Sequence, residues 1–474
     1  MSFDSDGSHA SQQIISVTDY IISHDDDHFV WDDSGRELSE AWVQPVTDAG
    51  LDPRKHKVFH HSNKEYLKPP SPFVQQGSEL GESGTTKVYK VTPPEGYSYK
   101  RPLAVKVIIC NENTRPPGPD SNVRRLALEE VRNMAAIRHP HIVVYVASFE
   151  DYCIQTKQVK QRMGNRRIVV RLDQQVRRHI LGIVMYPPAV CNLSVLMGEV
   201  FRNPENEAGL LACLHTYFGC LAQAVAYLHR SGVQIRHKDI KPENVVVDDW
   251  GLPVLTDFGL SKHFETGQHS EGPTGKTLKY ADPEAIHEVQ RDERSDIFSL
   301  GCVYLEIATV LLGRPAMFAQ EQLTGGIGGG ASGHDFKYSE SLGRLGHYIS
   351  VLSRIAEEEL LHNPDKEPSA RAVLSVLPHI QRMMHRDFHQ RPYAHELYPW
   401  FRPLYDIHET PGLCHSCELE RQSNGRGWSS RTSSPTLLRR MNSSAAASPV
   451  MRKNSLLSSS QKSQSPTELE TTEE

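Results

Sequence analysis

The chain has 474 residues, of which 38% are hydrophobic and 23% are charged, and its formal net charge is −6. This composition is typical of a soluble globular protein and excludes a collagen-like or fibrous chain. A mildly negative charge with mixed signs along the chain argues against nucleic acid as a partner. No run of about 18 apolar residues predicts a membrane span, and the first residues lack the features of a signal peptide. We therefore expect an intracellular location, cytoplasmic or nuclear.

The eight cysteines do not follow the spacing of a disulfide framework. Most of them stand among apolar residues, where a thiol serves as a small core side chain. Cys414 and Cys417 form a single CxxC, but no second CxxC completes a tetrahedral zinc site. Whether this pair binds metal is left open by the sequence.

The polar and acidic residues 1–72 are predicted to form an extension whose role the sequence does not reveal. From about Gln75 onward, alternating apolar positions and glycine punctuation predict strands joined by turns. Within the apolar run Leu103–Ile108, Lys106 places a charge that needs a partner. Apolar residues from Val123 to Ile137 then recur at helical spacing behind a cap at Ser121 or Asn122.

A charged insertion between about Asp151 and Arg178 is predicted to be an exposed loop. It is followed by the apolar strand Ile180–Met185. An amphipathic helix then runs from about Leu210 to Leu228 and ends at Ser231-Gly232. This helix leads directly into the most informative segment of the chain.

The segment after this helix places Asp239, Lys241, Asn244 and Asp257 within one short span. Their chemistry suits metal-assisted phosphoryl transfer. Asp239 can accept a hydroxyl proton, and Lys241 can neutralise the moving phosphoryl group. Asn244 and Asp257 supply the hard oxygen ligands that magnesium prefers.

The order of these residues resembles the catalytic segment of eukaryotic-type Ser/Thr protein kinases. That family has HRDxKxxN followed by DFG, and this chain has His237-Lys238-Asp239, Lys241, Asn244 and Asp257-Phe258-Gly259. The resemblance implies a two-lobed α+β fold, with a β-rich N-lobe at residues 73–190. It also implies a mainly α-helical C-lobe with inserted segments at residues 191–404.

The resemblance assigns ATP and Mg²⁺ as cofactors and gives roles to individual residues. Lys106 and Glu130 would join Asp239 and Lys241 as catalytic residues, with Glu130 holding Lys106 on the phosphates. Asn244 and Asp257 would bind the metal. The predicted nucleotide-binding residues are Leu80, Gly81, Glu82, Ser83, Gly84, Val88, Ala104, Lys106 and Met185.

The glycine loop, Leu80 to Val88, departs from the family's LGxGxxGxV. Gly81 keeps the first glycine position, whereas Ser83 and Thr86 replace the second and third. Small side chains can still allow close approach of a phosphate, although with less backbone freedom than glycine gives.

The segment after Asp257 resembles the family's activation segment and ends in Thr277 to Glu284, where Asp282 replaces an alanine. Thr277 and the Lys241-Pro242-Glu243 sequence are typical of kinases that act on serine and threonine. Asp296 matches the aspartate that tethers the catalytic loop. Arg391, rather than the region around Glu367, is predicted to pair with Glu284.

The last part of the chain, residues 405–474, is rich in Ser, Thr and Arg and is predicted to be disordered. The glycine-rich run near residues 323–333 is predicted to be a linker. Expected partners are protein substrates with Ser or Thr acceptors. Regulatory kinases that act on the activation segment or the tail are further candidates.

Two other functions stay open at the level of sequence. A pseudokinase scaffold would use the same fold as a binding platform, and the altered glycine loop is its main support. A small-molecule phosphotransferase fits less well, because Thr277 and the following residues resemble a protein-substrate platform.

Overall fold

The computed structural model describes residues 15–16, 55–58, 74–83, 86–92, 102–111, 122–135, 137–163, 168–202, 207–249, 251–264, 277–287, 292–325 and 336–401. These residues form a strand-rich lobe followed by a mainly helical lobe, which confirms the predicted two-lobed α+β fold. The exact limits given above for the lobes and the terminal segments stay predictions. Gly84, Cys414, Cys417, the glycine-rich run after Gly325 and the tail lie outside the described residues.

The N-lobe is built on a seven-stranded sheet with the order β1-β2-β6-β7-β5-β4-β3. Its strands are β1 (Ile15–Ser16), β2 (Lys55–Val58), β3 (Val74–Ser83), β4 (Thr86–Thr92), β5 (Leu103–Asn111), β6 (Val144–Met163) and β7 (Ile168–Tyr186). Strand β2 runs parallel to β6, with Lys57 opposite Phe149, and β1 pairs with β2. Two short pieces of the predicted extension therefore add to the edge of this sheet.

The prediction of an exposed loop between Asp151 and Arg178 is wrong. Strands β6 and β7 continue as an antiparallel ribbon from the pair Asp151 and Ile180 out to the pair Met163 and Ile168. The two strands of such a ribbon satisfy each other's backbone hydrogen bonds, so it can form from a sequence rich in polar and charged residues.

The two faces of the sheet are occupied by alternating side chains. Ala104, Ile108 and Cys110 face helix α1 (Asn122–Ala135), which buries Ala127, Val131 and Met134. Val105 and Val107 point the other way, into a second apolar cluster that contains Phe149. Because Lys106 lies between Ala104 and Ile108 in register, its side chain is on the α1 side.

The C-lobe contains eight described helices around one apolar core. They are α2 (Leu193–Arg202), α3 (Glu207–His229), α4 (Pro283–Ile286), α5 (Arg294–Leu311), α6 (Met317–Thr324), α7 (Leu345–His362), α8 (Glu367–Met383) and α9 (Ala394–Phe401). Five short strands, β8 (Cys191–Asn192), β9 (Ile235–Arg236), β10 (Val245–Val247), β11 (Pro253–Leu255) and β12 (Lys262–His263), carry the loops of the candidate site.

Helix α3 is long and apolar enough to cross a membrane, and no other helix in the described ranges is. Most of it is nevertheless buried in the protein. Its Leu214, Tyr217 and Leu221 belong to the main apolar core together with residues of α5. A central core helix of a folded lobe accounts for this hydropathy.

The C-lobe contains a buried group of one arginine and two acidic residues, Arg391, Glu284 and Asp282. Arg391 Nη2 lies 2.8 Å from Glu284 Oε2, which confirms the predicted pair. Glu367 begins α8 and instead pairs with Arg371 at 2.7 Å. The unusual Asp282 caps α4, accepts a hydrogen bond from Ser295 Oγ at 2.5 Å and lies 3.6 Å from Arg391 Nη1. Two carboxyl groups thus share one guanidinium.

Gly182 is required by close packing on the outer face of the sheet. A Cβ atom at this position would overlap the ring of Phe149, its neighbour on β6. We expect Gly182→Ala to lower the free energy of unfolding by about 1–3 kcal/mol, as overpacking does. Urea unfolding measures the change. Gly343→Ala, where a Cβ meets nothing within 4 Å, is the matched control and should cost much less.

The group around Arg391 predicts a stability that depends on pH. Burial raises the pKa of Glu284 from 4.5 to about 7, against the opposing charge of Arg391, and the hydrogen bond with Asp282 adds to the rise. A proton held more tightly in the folded state stabilises the fold below the ordinary pKa, and this stabilisation is lost as the pH rises through 7.

We therefore expect the melting temperature to fall between pH 5 and pH 8 in part through this group. In Asp282→Asn the second carboxylate is gone, so this part of the fall should shrink. Calorimetry of both proteins across this range measures the difference. Equal pH dependence in the two proteins would contradict a contribution of Asp282 to the raised pKa of Glu284.

Candidate active site

The catalytic loop, from His237 to Asn244, follows β9 and is hydrogen-bonded to a buried carboxylate on α5. Asp296 accepts the backbone N–H groups of His237 and Lys238, both at 2.8 Å. His229, at the end of α3, contacts the same carboxylate at 2.9 Å. Lys238 takes a φ of 71°, a left-handed conformation that is uncommon for lysine. The hydrogen bonds from two successive backbone N–H groups to Asp296 stabilise this uncommon conformation.

Asp239 is oriented by donors from three directions. Its Oδ2 accepts from Lys241 Nζ at 2.7 Å and from Asn244 Nδ2 at 2.9 Å. The backbone N–H of Thr277 reaches Oδ1 at 3.4 Å. Lys241 Nζ also donates to Thr277 Oγ1 at 2.7 Å. The structure thus brings Asp239, Lys241 and Asn244 together and ties them to the end of the activation segment.

Lys106 joins the N-lobe to the segment after β11. Its Nζ lies 2.6 Å from Glu130 Oε1 on α1 and 2.8 Å from Asp257 Oδ1. Lys106 and Glu130 are largely shielded from solvent, whereas about half of the Asp257 side chain is exposed. The contact between Lys106 and Glu130 is the pairing that the sequence predicted. We call Lys106, Glu130 and Asp257 the triad.

The electrostatics of the triad favour the charged forms of Lys106 and Asp257, whereas burial raises the pKa of Glu130 against the opposing charge of Lys106. Burial lowers the pKa of Lys106, but the carboxylates of Glu130 and Asp257 outweigh burial, so the pKa lies above its ordinary value. The charge of Lys106 holds the pKa of Asp257 at about 2, against the effect of burial. Asp257 is therefore a carboxylate at neutral pH, the form that can bind a cation.

Asn244 and Asp257 are the predicted metal ligands, and their donor atoms fit magnesium. Asn244 uses its amide nitrogen on the backbone O and the Oδ2 of Asp239, so its carbonyl oxygen is the atom left for a cation. In the described part of the chain, no cluster of three or more His, Cys, Asp or Glu could hold a metal ion. Two protein oxygens suit Mg²⁺, which usually keeps waters and binds substrate phosphates.

Phe258 and Gly259 fix the conformation of the segment that carries Asp257. Phe258 is fully buried and packs edge-on against the ring of His237, with centroids 4.9 Å apart. A Cβ atom on Gly259 would lie 3.4 Å from Asp257 Oδ1 and 3.5 Å from Glu130 Oε2. Both distances are ordinary van der Waals contacts, so the carboxylates of the triad do not by themselves require a glycine here.

The predicted nucleotide residues that the structure describes lie on four strands of the N-lobe sheet, β3, β4, β5 and β7. Leu80, Gly81, Glu82 and Ser83 end β3, and Val88 lies on β4 opposite Gly81. Ala104 is opposite Met185 in the β5–β7 pair, and Val88 packs against the apolar cluster that contains both residues. A Cβ on Gly81 would meet nothing within 4 Å, so any need for glycine here would come from a ligand.

The structure adds positioning residues that the sequence reasoning missed. Asn133 on α1 donates to the backbone O of Ser261 at 2.9 Å, which ties the helix to the segment after Gly259. His229 supports Asp296 from α3. Asn133 belongs to no motif, whereas the regular spacing of α3 before the catalytic loop could have drawn attention to His229.

Comparison with known proteins places this geometry in a family. The family model described as "Protein kinase domain" matches residues 74–398. A probable serine/threonine-protein kinase CHK1 homolog of Encephalitozoon cuniculi is 34% identical over 183 residues, which cover 37% of this chain and 35% of that protein. The CTD kinase subunit alpha of Schizosaccharomyces pombe is 25% identical over 299 residues, which cover 60% and 47%.

A third relative, the LRR receptor-like serine/threonine-protein kinase GSO2 of Arabidopsis thaliana, is 27% identical over 273 residues, which cover 56% of this chain and 18% of that protein. The chain thus spans less than half the length of each of these relatives. The family model covers more than half of the chain, and the lobes, the triad and the catalytic loop agree with it. The chain belongs to the protein kinase family.

Proposed function

We propose that the protein is a Ser/Thr protein kinase that transfers the γ-phosphoryl group of MgATP to serine and threonine hydroxyls of proteins. The observation that carries this proposal is the set of contacts around Asp239, Lys241 and Asn244, combined with the Lys106–Glu130–Asp257 triad. Two of the three relatives described above are named as serine/threonine-protein kinases, which supports the same class.

Asp239 would orient the acceptor hydroxyl and take its proton as the bond to phosphorus forms. The contacts from Lys241 and Asn244 fix the direction of its carboxylate, so little reorganisation is needed at that moment. Lys241 would neutralise the charge that develops on the phosphoryl group, since its ammonium lies 2.7 Å from the carboxylate of Asp239 that would accept the proton.

Lys106 would hold the phosphates of ATP while Glu130 keeps its ammonium pointed into the cleft. Asn244 and Asp257 would hold magnesium through a carbonyl and a carboxylate oxygen. When bound, the metal would neutralise phosphate charge. The other residues proposed for nucleotide binding, Val88, Ala104 and Met185 among them, would provide an apolar surface for the base.

Thr277 supports serine and threonine as acceptors. Its hydroxyl accepts from Lys241, and its N–H approaches Asp239, so the end of the activation segment is joined to the catalytic loop. Residues Thr277 to Tyr280 also support protein substrates, because they form a surface next to Asp239 on which a peptide could bind. Leu278 is exposed on this surface.

The direct test is transfer of radiolabelled phosphate from MgATP to a mixed peptide library. We expect labelled Ser and Thr peptides, little labelling of Tyr peptides, and none of small alcohols. Asp239→Asn keeps the shape of the side chain but cannot accept the proton, so kcat should fall by about 10²-fold or more. Nucleotide affinity, measured with a fluorescent ATP analogue, should change little.

The alternative that this experiment separates is a pseudokinase scaffold. A well-folded wild type that transfers no phosphate, with and without prior phosphorylation by other kinases, would contradict the proposed activity. Binding of MgATP without transfer would then favour a nucleotide-binding scaffold.

Thr277 gives a second prediction. Thr277→Ala removes the hydroxyl that steadies Lys241, so kcat on a serine peptide should fall by about 10–100-fold through misplacement. Thr277→Ser retains the hydroxyl and should recover most of the rate. Steady-state kinetics with varied ATP should show an unchanged KM for ATP in both variants. Equal rates for the alanine and serine variants would contradict this role.

A further inference from the structure

A buried acid lies on the α1 side of the N-lobe sheet, away from the triad. Glu150 on β6 accepts from Arg124 of α1 through two contacts, Nε to Oε2 at 3.0 Å and Nη2 to Oε1 at 2.8 Å. His179 on β7 brings its Nε2 within 2.8 Å of Glu150 Oε2. We call Arg124, Glu150 and His179 the α1 clamp.

Strand alternation puts the clamp on the same face of the sheet as Lys106. Phe149 belongs to the second apolar cluster, on the face of the sheet opposite α1. Its neighbour Glu150 therefore points to the α1 side. On β7, His179 alternates with Ile180 and shares the α1 side with Leu181 and Ile183. The clamp and the triad therefore face the same helix.

The clamp is shielded from solvent, so its polar groups need one another as partners. Glu150 and His179 are almost fully buried, and Arg124 is mostly covered. Burial raises the pKa of the nearby Cys110 thiol to about 12, and the Glu150 carboxylate adds to the rise. A carboxylate in such a place is costly unless charge-assisted hydrogen bonds satisfy it.

Arg124 is poorly placed for the stability of α1 itself. It lies in the first turn, where the helix dipole disfavours a cation. Its bidentate contact with Glu150 supplies the compensating charge and directs the start of the helix onto β6. The arginine therefore serves the docking of α1 rather than its formation.

Helix α1 is thus attached at three levels along its axis. Arg124 contacts the sheet, Glu130 contacts Lys106, and Asn133 contacts the backbone of Ser261. Arg124 and Glu130 are six residues apart, or about 9 Å along the axis. Two attachments at that separation prevent the helix from pivoting about the Lys106 contact.

We propose that the α1 clamp positions Glu130 for phosphoryl transfer, with Glu150 as the residue on which the position of α1 depends. This inference rests on the proposed kinase function. Glu150 is a positioning residue, since it acts through Arg124 and α1. Loss of its charge should let α1 turn away and leave Lys106 without Glu130 in a fraction of the molecules.

The test compares Glu150→Gln and Arg124→Met with Gly182→Ala. The glutamine keeps the size of the side chain and removes its charge, while methionine keeps much of the volume of arginine. Gly182→Ala is the matched control, because it disturbs the same sheet on the opposite face, away from α1. Melting temperatures allow the comparison to be made at equal loss of stability.

We expect kcat/KM for ATP to fall by about tenfold in each clamp variant, the scale of one charge-assisted hydrogen bond. The double variant should be no worse than the more affected single one, because both break the same contact. Deuterium exchange of the α1 amides should rise in the clamp variants, while exchange in α3 stays unchanged. Gly182→Ala should leave α1 exchange and kcat/KM near wild type.

Equal losses of kcat/KM in Gly182→Ala and Glu150→Gln at matched stability would overturn the clamp, and so would unchanged α1 exchange. The exchange readout does not need activity. If wild type transferred no phosphate, the proposed function would fail, and the contrast in α1 exchange would still decide the clamp.

Discussion

The buried carboxylate of Asp296 is the contact on which the candidate site depends. Its two oxygens accept the N–H groups of His237 and Lys238, and this fixes the turn from which Asp239 projects. A buried carboxylate needs such donors, and the backbone of a turn needs such an acceptor, so each satisfies the other. The geometry of the catalytic loop is thereby set by α5, the most deeply buried helix of the C-lobe.

The two halves of the site are held by different kinds of interaction. In the C-lobe, hydrogen bonds from the backbone and from Lys241 and Asn244 fix Asp239 within one rigid unit. In the N-lobe, Lys106 depends on charges carried by α1 and by Asp257, which belong to separate elements. A site joined by a charge triad across two lobes therefore needs its helix fixed independently, and Arg124 and Asn133 provide such contacts.

Much of the site could be predicted because its residues lie close in sequence or at recognisable spacing. Asp239 and Asn244 are separated by five positions. The resemblance to the family, together with the charge of the side chain, pairs Glu284 with Arg391 rather than with the Glu367 region, which the structure confirms. Glu150 carried no such signal, since its partners are 26 and 29 positions away on other elements. The β6–β7 ribbon was missed for another reason: the sequence from Asp151 to Arg178 is rich in polar and charged residues and lacks the apolar alternation on which strand prediction depends.

Two departures from the family pattern, Lys238 in the catalytic loop and Asp282 at the end of the activation segment, change charged groups near Asp239 and Asp296. Lysine offers a point charge where arginine can grip an activation-segment phosphate with two parallel hydrogen bonds. Asp282 adds a buried acceptor for Ser295, the residue before Asp296, so the end of the activation segment is bonded to the same turn of α5 that holds the catalytic loop. Thr277 is bonded to Lys241 on the other side. Internal contacts thus join this end of the segment to the catalytic machinery, through Asp282 to α5 and through Thr277 to the catalytic loop.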